Sequence, residues 1–326
     1  MMRKILILAS LAAMLMTGTA LAEAKTNDSE DVTTPYFDVA GHWAETNIEK
    51  LYIAGALGQM DAFRPDDPVT RGELLTLFVK AKGIEPVKST ESSFADITAG
   101  SWLAPYAETA YRLGMVHGQK RGERVDLNPN ETVTREEMVS ILIRSMGKSG
   151  AVNTVNWTTT AQTLAKYQDG ESVQEVYQRP LVYALENRLV SPYGDGTLKP
   201  QVPITRAEAA TYAALHLLSP KEQKQKTLEN GTAFREVMTV QTTAYCFASD
   251  PTVLSYLEYP LHEGVVAVDP NVIPLGSHLY IEGYGYAVAA DIGGAVKQRH
   301  VDLFLPSLSE AEKYGMKQGV KVYVLD

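Results

Sequence analysis

Three aspartates within the last sixty residues occupy positions where carboxylates are seldom placed. Asp269 lies in Ala267-Val268-Asp269-Pro270, Asp291 in Ala289-Ala290-Asp291-Ile292-Gly293-Gly294, and Asp302 in His300-Val301-Asp302-Leu303-Phe304. Each run is apolar and strand-like, and a charge in such a run is seldom core unless it faces a cleft or a partner. Carboxylates held by rigid strands suit acid catalysis. A metal site would add His262, His278 or His300, but the chain lacks H-x-x-x-H and D-x-D spacings. An aspartic-protease reading of Ala290-Asp291-Ile292-Gly293 lacks the hydroxyl residue and a second copy. The structural alternative is turn capping, for Asp269 above all, or salt bridging to Lys297 and Arg299.

Short strands must position these groups. The candidates are Val237 to Tyr245, Val265 to Val268, His278 to Glu282, Tyr286 to Ala290, His300 to Leu305 and Val320 to Leu325. One helix interrupts them, capped by Ser307 with Glu310 and stopped at Gly315. Six strands and one helix in this space predict a small β-barrel with crossed connections. Alternation puts Val301, Leu303 and Leu305 in the core and Asp302 on the face of His300 and Phe304. Asp291 aligns with the small Ala289 and Ala287, and Gly293-Gly294 permits a sharp turn, so Asp291 and Asp302 are expected side by side. Two neighbouring carboxylates do not ionise independently, and one is expected to titrate high.

The middle of the chain is a threefold repeat. Each copy opens with aromatic-x-Asp (Tyr36-Phe37-Asp38, Phe94-Ala95-Asp96, Tyr167-Gln168-Asp169) and closes with Thr-Arg-x-Glu at Thr70, Thr134 and Thr205. Thr followed three residues later by Glu is a capping box, and Leu74, Leu77, Phe78 and Ala81 trace the buried face of the helix that follows. The arginine is not explained in this way. A cation at the first helical position opposes the helix dipole by a few tenths to about 1 kcal/mol. Three such arginines, Arg71, Arg135 and Arg206, suggest an anion held by guanidinium and helix-terminal amides, with a salt bridge to a nearby acid as the even alternative. The stretch from Ser149 to Thr163 is polar and reads as a linker or loop.

Composition narrows the class. Arg3 and Lys4, an apolar run from Ile5 to Met16 and Ala20-Leu21-Ala22 predict an export signal over 1–24. No later segment is apolar enough to cross a membrane, so membrane insertion is not expected. Cys246 is the sole cysteine, which excludes an intrachain disulfide and a thiolate cluster. Net charge is −9, which argues against a nucleic-acid partner.

Two resemblances organise these residues. The aromatic-x-Asp, His-Trp-Ala, Phe-x-Pro-Asp and Thr-Arg-x-Glu elements resemble the S-layer homology (SLH) repeat of bacterial surface proteins, at 35–83, 93–147 and 165–218. The resemblance implies an all-α pseudo-threefold unit that binds a pyruvylated secondary cell-wall polysaccharide. It carries over Arg71, Arg135 and Arg206 as ligand-binding residues and Trp43 and Trp102 as sugar-facing aromatics, with core packing as the tryptophans' alternative. The second repeat departs by an insertion around Gly118 to Val125, and the third has Tyr177 in place of tryptophan.

After a charged linker at 219–236, residues 237–326 resemble the 3D domain, named for three aspartates. Thr243-Ala244-Tyr245, Val266 to Pro270, Val272 to Ser277, Asp291 to Ala295 and Val301 to Leu303 carry this likeness. The resemblance implies a small double-psi β-barrel similar to membrane-bound lytic transglycosylase A, acting on peptidoglycan glycan strands without a cofactor. In that reading Asp302 is acid and base, Asp291 raises its pKa and positions sugar, and Asp269 orders the cleft. The family's Thr-Ala-Ser-Gly segment is absent, replaced by Cys246 to Gly264, which leaves a non-catalytic glycan-binding or structural barrel as the alternative.

Overall fold

The computed structural model describes residues 36–89, 91–122, 124–218, 226–247, 250 and 252–326. The expected export signal and the first part of the expected linker lie outside these residues. The repeats supply helices α1 (Glu45–Ile53), α2 (Arg71–Ala81), α3 (Ala104–Arg112), α4 (Arg135–Ser145), α5 (Ser149–Val152), α6 (Trp157–Leu164), α7 (Glu175–Glu186) and α8 (Arg206–His216).

The repeat motifs prove to be structural devices. Asp38 accepts the amides of Phe63 and Arg64, Asp96 those of Leu127 and Asn128, and Asp169 those of Leu198 and Lys199. In each pair the second residue has a positive φ (57°, 54° and 48°), and the carboxylate holds this turn against its backbone cost. Thr70, Thr134 and Thr205 each form a complete capping box with the glutamate three residues on. Such caps stabilise a helix by about 1 kcal/mol each.

The three repeats close into a ring through single extended residues. Val69 N–H donates to the Ile204 carbonyl, Ile204 N–H to Val133, and Val133 N–H to Val69. All three side chains are buried on the axis. The unit is not all-α as expected. The insertion in the second repeat forms an antiparallel hairpin of β1 (Gln119–Arg121) and β2 (Arg124–Asp126), since exposed charged residues around Gly122 extend more readily than they fill a helix groove. The stretch expected as a loop after Ser149 holds α5 and α6, the second capped by Asn156.

Residues expected as a continuous linker also contain structure. β3 (Lys226–Thr227) pairs with β4 (Ala233–Phe234), and the intervening Thr232 is fully buried. Its hydroxyl receives the Glu85 amide and contacts the Tyr286 hydroxyl, so this hairpin joins the repeats to the barrel.

The barrel uses β5 (Glu236–Tyr245), β6 (Val265–Ala267), β7 (His278–Ile281), β8 (Gly285–Asp291), β9 (His300–Phe304) and β10 (Lys317–Val324), closed in the order β10-β5-β9-β6-β8-β7. Helix α9 (Leu308–Tyr314) starts at the Ser307 cap and ends at Gly315, φ 62°. Met238, Val240, Val266, Leu279, Ala287, Ala289, Val301, Leu303 and Val322 fill the barrel interior.

The barrel is packed against the repeats. Tyr111 stacks on His262 at 3.7 Å, His117 meets Tyr259 at 4.1 Å, and the Tyr259 hydroxyl bonds Ser149. Gly114 is required here: with φ +64° its Cβ would lie 2.7 Å from the Tyr259 ring. Tyr259 and His262, in the stretch that replaces the family's cleft motif, thus supply part of the docking surface.

Candidate active site and wall-binding surface

Strand order separates two aspartates expected on adjacent strands. β6 runs between β8 and β9, and Ala267 pairs with Asp291 on one side and with Asp302 on the other. The pairing of β6 with β8 jumps from Val266–Ala289 to Ala267–Asp291, so Ala290 is a bulge. The extra residue takes Asp291 off the interior face of Ala287 and Ala289 and presents it to Tyr245 on the outer face. Simple alternation therefore assigns Asp291 to the wrong face, because a bulge cannot be read from period two.

The three carboxylates have different surroundings. Asp269 is saturated: its Oδ1 accepts the Asn271 amide and side chain, and its Oδ2 accepts the Gln298 amide at 2.7 Å. These bonds, led by the one from Gln298, lower its pKa. It behaves as the turn-capping alternative anticipated, and it pins the loop that leads into β9. Asp291 is also saturated, accepting the Tyr256 and Ile292 amides on Oδ1 and the Tyr245 hydroxyl on Oδ2 at 3.1 Å.

Asp302 differs. Its Oδ1 accepts a 2.6 Å bond from Thr243, whereas Oδ2 has no partner among the described residues. Burial pushes its pKa up, the Thr243 bond and His300 pull it back, and Asp291 adds to the rise. His300 Nε2 lies 2.8 Å from the Thr243 hydroxyl and extends the polar chain from Asp302. Thr243, Tyr245 and Tyr256 are site residues that single-residue reasoning missed. The alternation of β5 was the signal in the sequence; the parallel register, Thr243 beside Asp302 and Tyr245 beside Phe304, comes from the fold. Burial, then the nearby Asp291, raises the Tyr245 phenol's pKa, so it stays a donor. A polar groove of about 370 Å³, lined by Gln241, Lys297, Arg299, His300 and Gln318, opens beside this cluster.

The repeat arginines are turned toward their neighbours. Arg71 donates to the Leu127 and Asn128 carbonyls and to Glu131 and Glu137; Arg206 donates to the Phe63 carbonyl and Glu73. Arg135 instead meets the Ser191 carbonyl and the Tyr193 and Tyr212 hydroxyls, with Tyr193 interposed before Glu208. The expected amide anion cradle is not free. The amides of Arg71, Arg135 and Arg206 donate to Glu131, Val202 and Asp67 carbonyls, and the next residue's amide is taken likewise. Tight ring closure satisfies those donors within the protein. Trp43 and Trp102 are 63% and 65% exposed, so core packing does not explain them.

Stretches of the chain match known families. Residues 35–75, 93–139 and 166–210 match the S-layer homology domain, and residues 264–326 match the 3D domain. The chain carries three SLH repeats and a C-terminal 3D domain. Among relatives, the cell wall-binding protein YocH of Bacillus subtilis is 45% identical over 108 residues, covering 31% of this chain and 37% of that protein. An S-layer protein of Bacillus thuringiensis subsp. finitimus is 26% identical over 177 residues, 54% of this chain and 20% of the relative. The chain also resembles E. coli MltA, solved with bound chitohexaose, at 25% identity over 22% of this chain and 27% of MltA, TM-score 0.20. The chain thus spans less than two fifths of the length of these relatives. No helix among the described residues is long and apolar enough to cross a membrane.

Proposed function

We propose that this cell-surface, wall-anchored protein is a peptidoglycan-cleaving enzyme whose 3D domain acts as a lytic transglycosylase on MurNAc–GlcNAc bonds. The observation that carries this reading is the asymmetry among the aspartates. Asp302 alone combines an open oxygen with a raised pKa, as an acid that must hold and then return a proton requires. Asp302 protonates the leaving GlcNAc O4 as the C1–O4 bond breaks. The resulting carboxylate takes the proton of the MurNAc C6 hydroxyl as O6 bonds C1. The product is a 1,6-anhydro end, and no water is consumed. Asp291 adds negative potential and anchors the Tyr256 loop, and Asp269 orders the loop before His300.

For the anchor, the grooves between repeats take an acidic, pyruvylated wall polysaccharide. Exposed Trp43 and Trp102 offer sugar-stacking faces, and Arg71, Arg135 and Arg206 contribute positive potential from the groove walls. Arg135 is the strongest candidate because it has no carboxylate partner among the described residues. Tethering raises the effective concentration of a weakly binding barrel at its substrate.

A second reading, a non-catalytic glycan-binding barrel, is supported by the use of Cys246 to Gly264 for docking instead of a cleft motif. Digestion of purified peptidoglycan by the full chain, analysed by mass spectrometry, separates the two. Anhydro-muropeptides that vanish in Asp302→Asn support transglycosylation, and new reducing ends indicate hydrolysis. The absence of products on every peptidoglycan tested supports the binding module.

A further inference from the structure

A cleft away from the aspartates lies between the second and third repeats and the barrel. It encloses about 490 Å³, and Arg144, Arg179, His117, Ser140, Trp157 and Tyr259 are among its lining residues. The Arg144 side chain, near the end of α4, makes no ion pair or hydrogen bond among the described residues, and its Nε is buried and unpartnered. Arg179 spends one nitrogen on the Val152 carbonyl and stacks on the Trp157 ring at 5.6 Å, while its Nε is also buried and unpartnered. Two guanidinium groups in one cleft without a carboxylate partner are costly unless an anion joins them. The acids on its rim, Glu175 and Glu258, are exposed and pair with neither arginine. Glu258 itself sits at φ 64°, a conformation that costs a non-glycine residue free energy and concentrates at functional sites.

We infer that this cleft binds a carboxylate-bearing saccharide, its acid group on Arg144 and Arg179 and its ring against the exposed Trp157. The volume suits one or two sugar rings, the Trp157 face suits the C–H face of a pyranose, and the Ser140 hydroxyl and Asn153 amide can bond sugar hydroxyls. The site has a path to the barrel chemistry. Leu257, in the same wall, donates its amide to the Ala290 carbonyl, and the adjacent Tyr256 amide holds Asp291. A sugar bound here would rest on the loop that fixes Asp291. The inference is independent of whether Asp302 cleaves a bond.

Titration calorimetry on the full chain, with N-acetylmuramic acid as acidic probe and N-acetylglucosamine as neutral counterpart, tests it. The acidic sugar should bind about tenfold or more tightly than the neutral one, the scale of one charge-assisted hydrogen bond. R144Q and R179Q should each weaken it about tenfold. Equal affinity for both sugars, no binding at millimolar concentration, or indifference to both arginine variants would overturn the assignment. Loss of probe binding in D302N would move the sugar to the barrel groove and overturn it too. Should R144Q fail to fold, R179Q and the comparison of the two sugars decide.

Discussion

Arg206 of the third repeat donates a 2.6 Å bond to Glu73 of the first, while Arg71 of the first reaches Glu137 of the second at 3.0 Å. The third link of this ring, Arg135 toward Glu208, is interrupted by the Tyr193 hydroxyl, which donates to Glu208 at 2.8 Å. Two of three equivalent arginines are therefore tied to neighbouring carboxylates, and one is cradled by aromatic faces at 4.6 and 6.0 Å.

The ring should report its own closure. Arg206→Gln removes the donor to Glu73 and to the buried Phe63 carbonyl, and should cost about 1–3 kcal/mol in urea unfolding. Glu73→Gln should cost less, and the double mutant should be non-additive. Strict additivity would show that the pair does not couple the repeats.

Asp302 sets a pH limit. Its protonated form is favoured by burial, so cleavage that needs this proton should fall as pH rises through its raised pKa. Thr243→Val removes a bond that lowers that pKa. The alkaline limb of the pH–rate profile should move upward in this variant. An unchanged limb would assign the acid to another group. Asp302→Asn should lower the rate by about 10²-fold or more.

Asp269 works in the opposite direction. Its pKa is lowered by the bonds from Gln298 and Asn271, so its stabilising effect is present above the ordinary carboxylate pKa and lost as pH falls through its lowered value. Asp269→Asn should speed hydrogen exchange at the Gln298 amide at neutral pH and remove that part of the acid dependence. Exchange matching the parent protein would deny Asp269 its loop-ordering role.

Trp43 and Trp102 separate binding from folding. Because both are exposed, their change to alanine should alter stability by about 0.5 kcal/mol or less. Wall pull-down should nevertheless weaken in each. Undiminished pull-down by the double variant would remove these rings from the sugar-binding surface.

Tyr259 tests docking of the barrel. Its ring is buried between His117 and Gly114, and Tyr259→Ala should cost about 3–5 kcal/mol by leaving a cavity. A thermal scan showing no loss would mean that the two parts unfold independently of this contact.

Much of this protein was determined by its sequence. Aromatic-x-Asp and Thr-Arg-x-Glu act within a few residues or through one turn, so their periodic recurrence announced three units and their capped helices. Alternation likewise marked all six barrel strands and the outward face of Asp302. Tertiary structure decided what depends on distant partners. β6 came between β8 and β9, the Ala290 bulge turned Asp291, and Thr243 met Asp302 across a parallel register fifty-nine residues away. Ring closure consumed the helix-terminal amides that sequence reasoning had reserved for an anion. Docking left Arg144 unpaired in a cleft that neither the repeats nor the barrel could form alone. Local patterns fix which backbone groups need partners; only the packed fold determines which partner reaches them first.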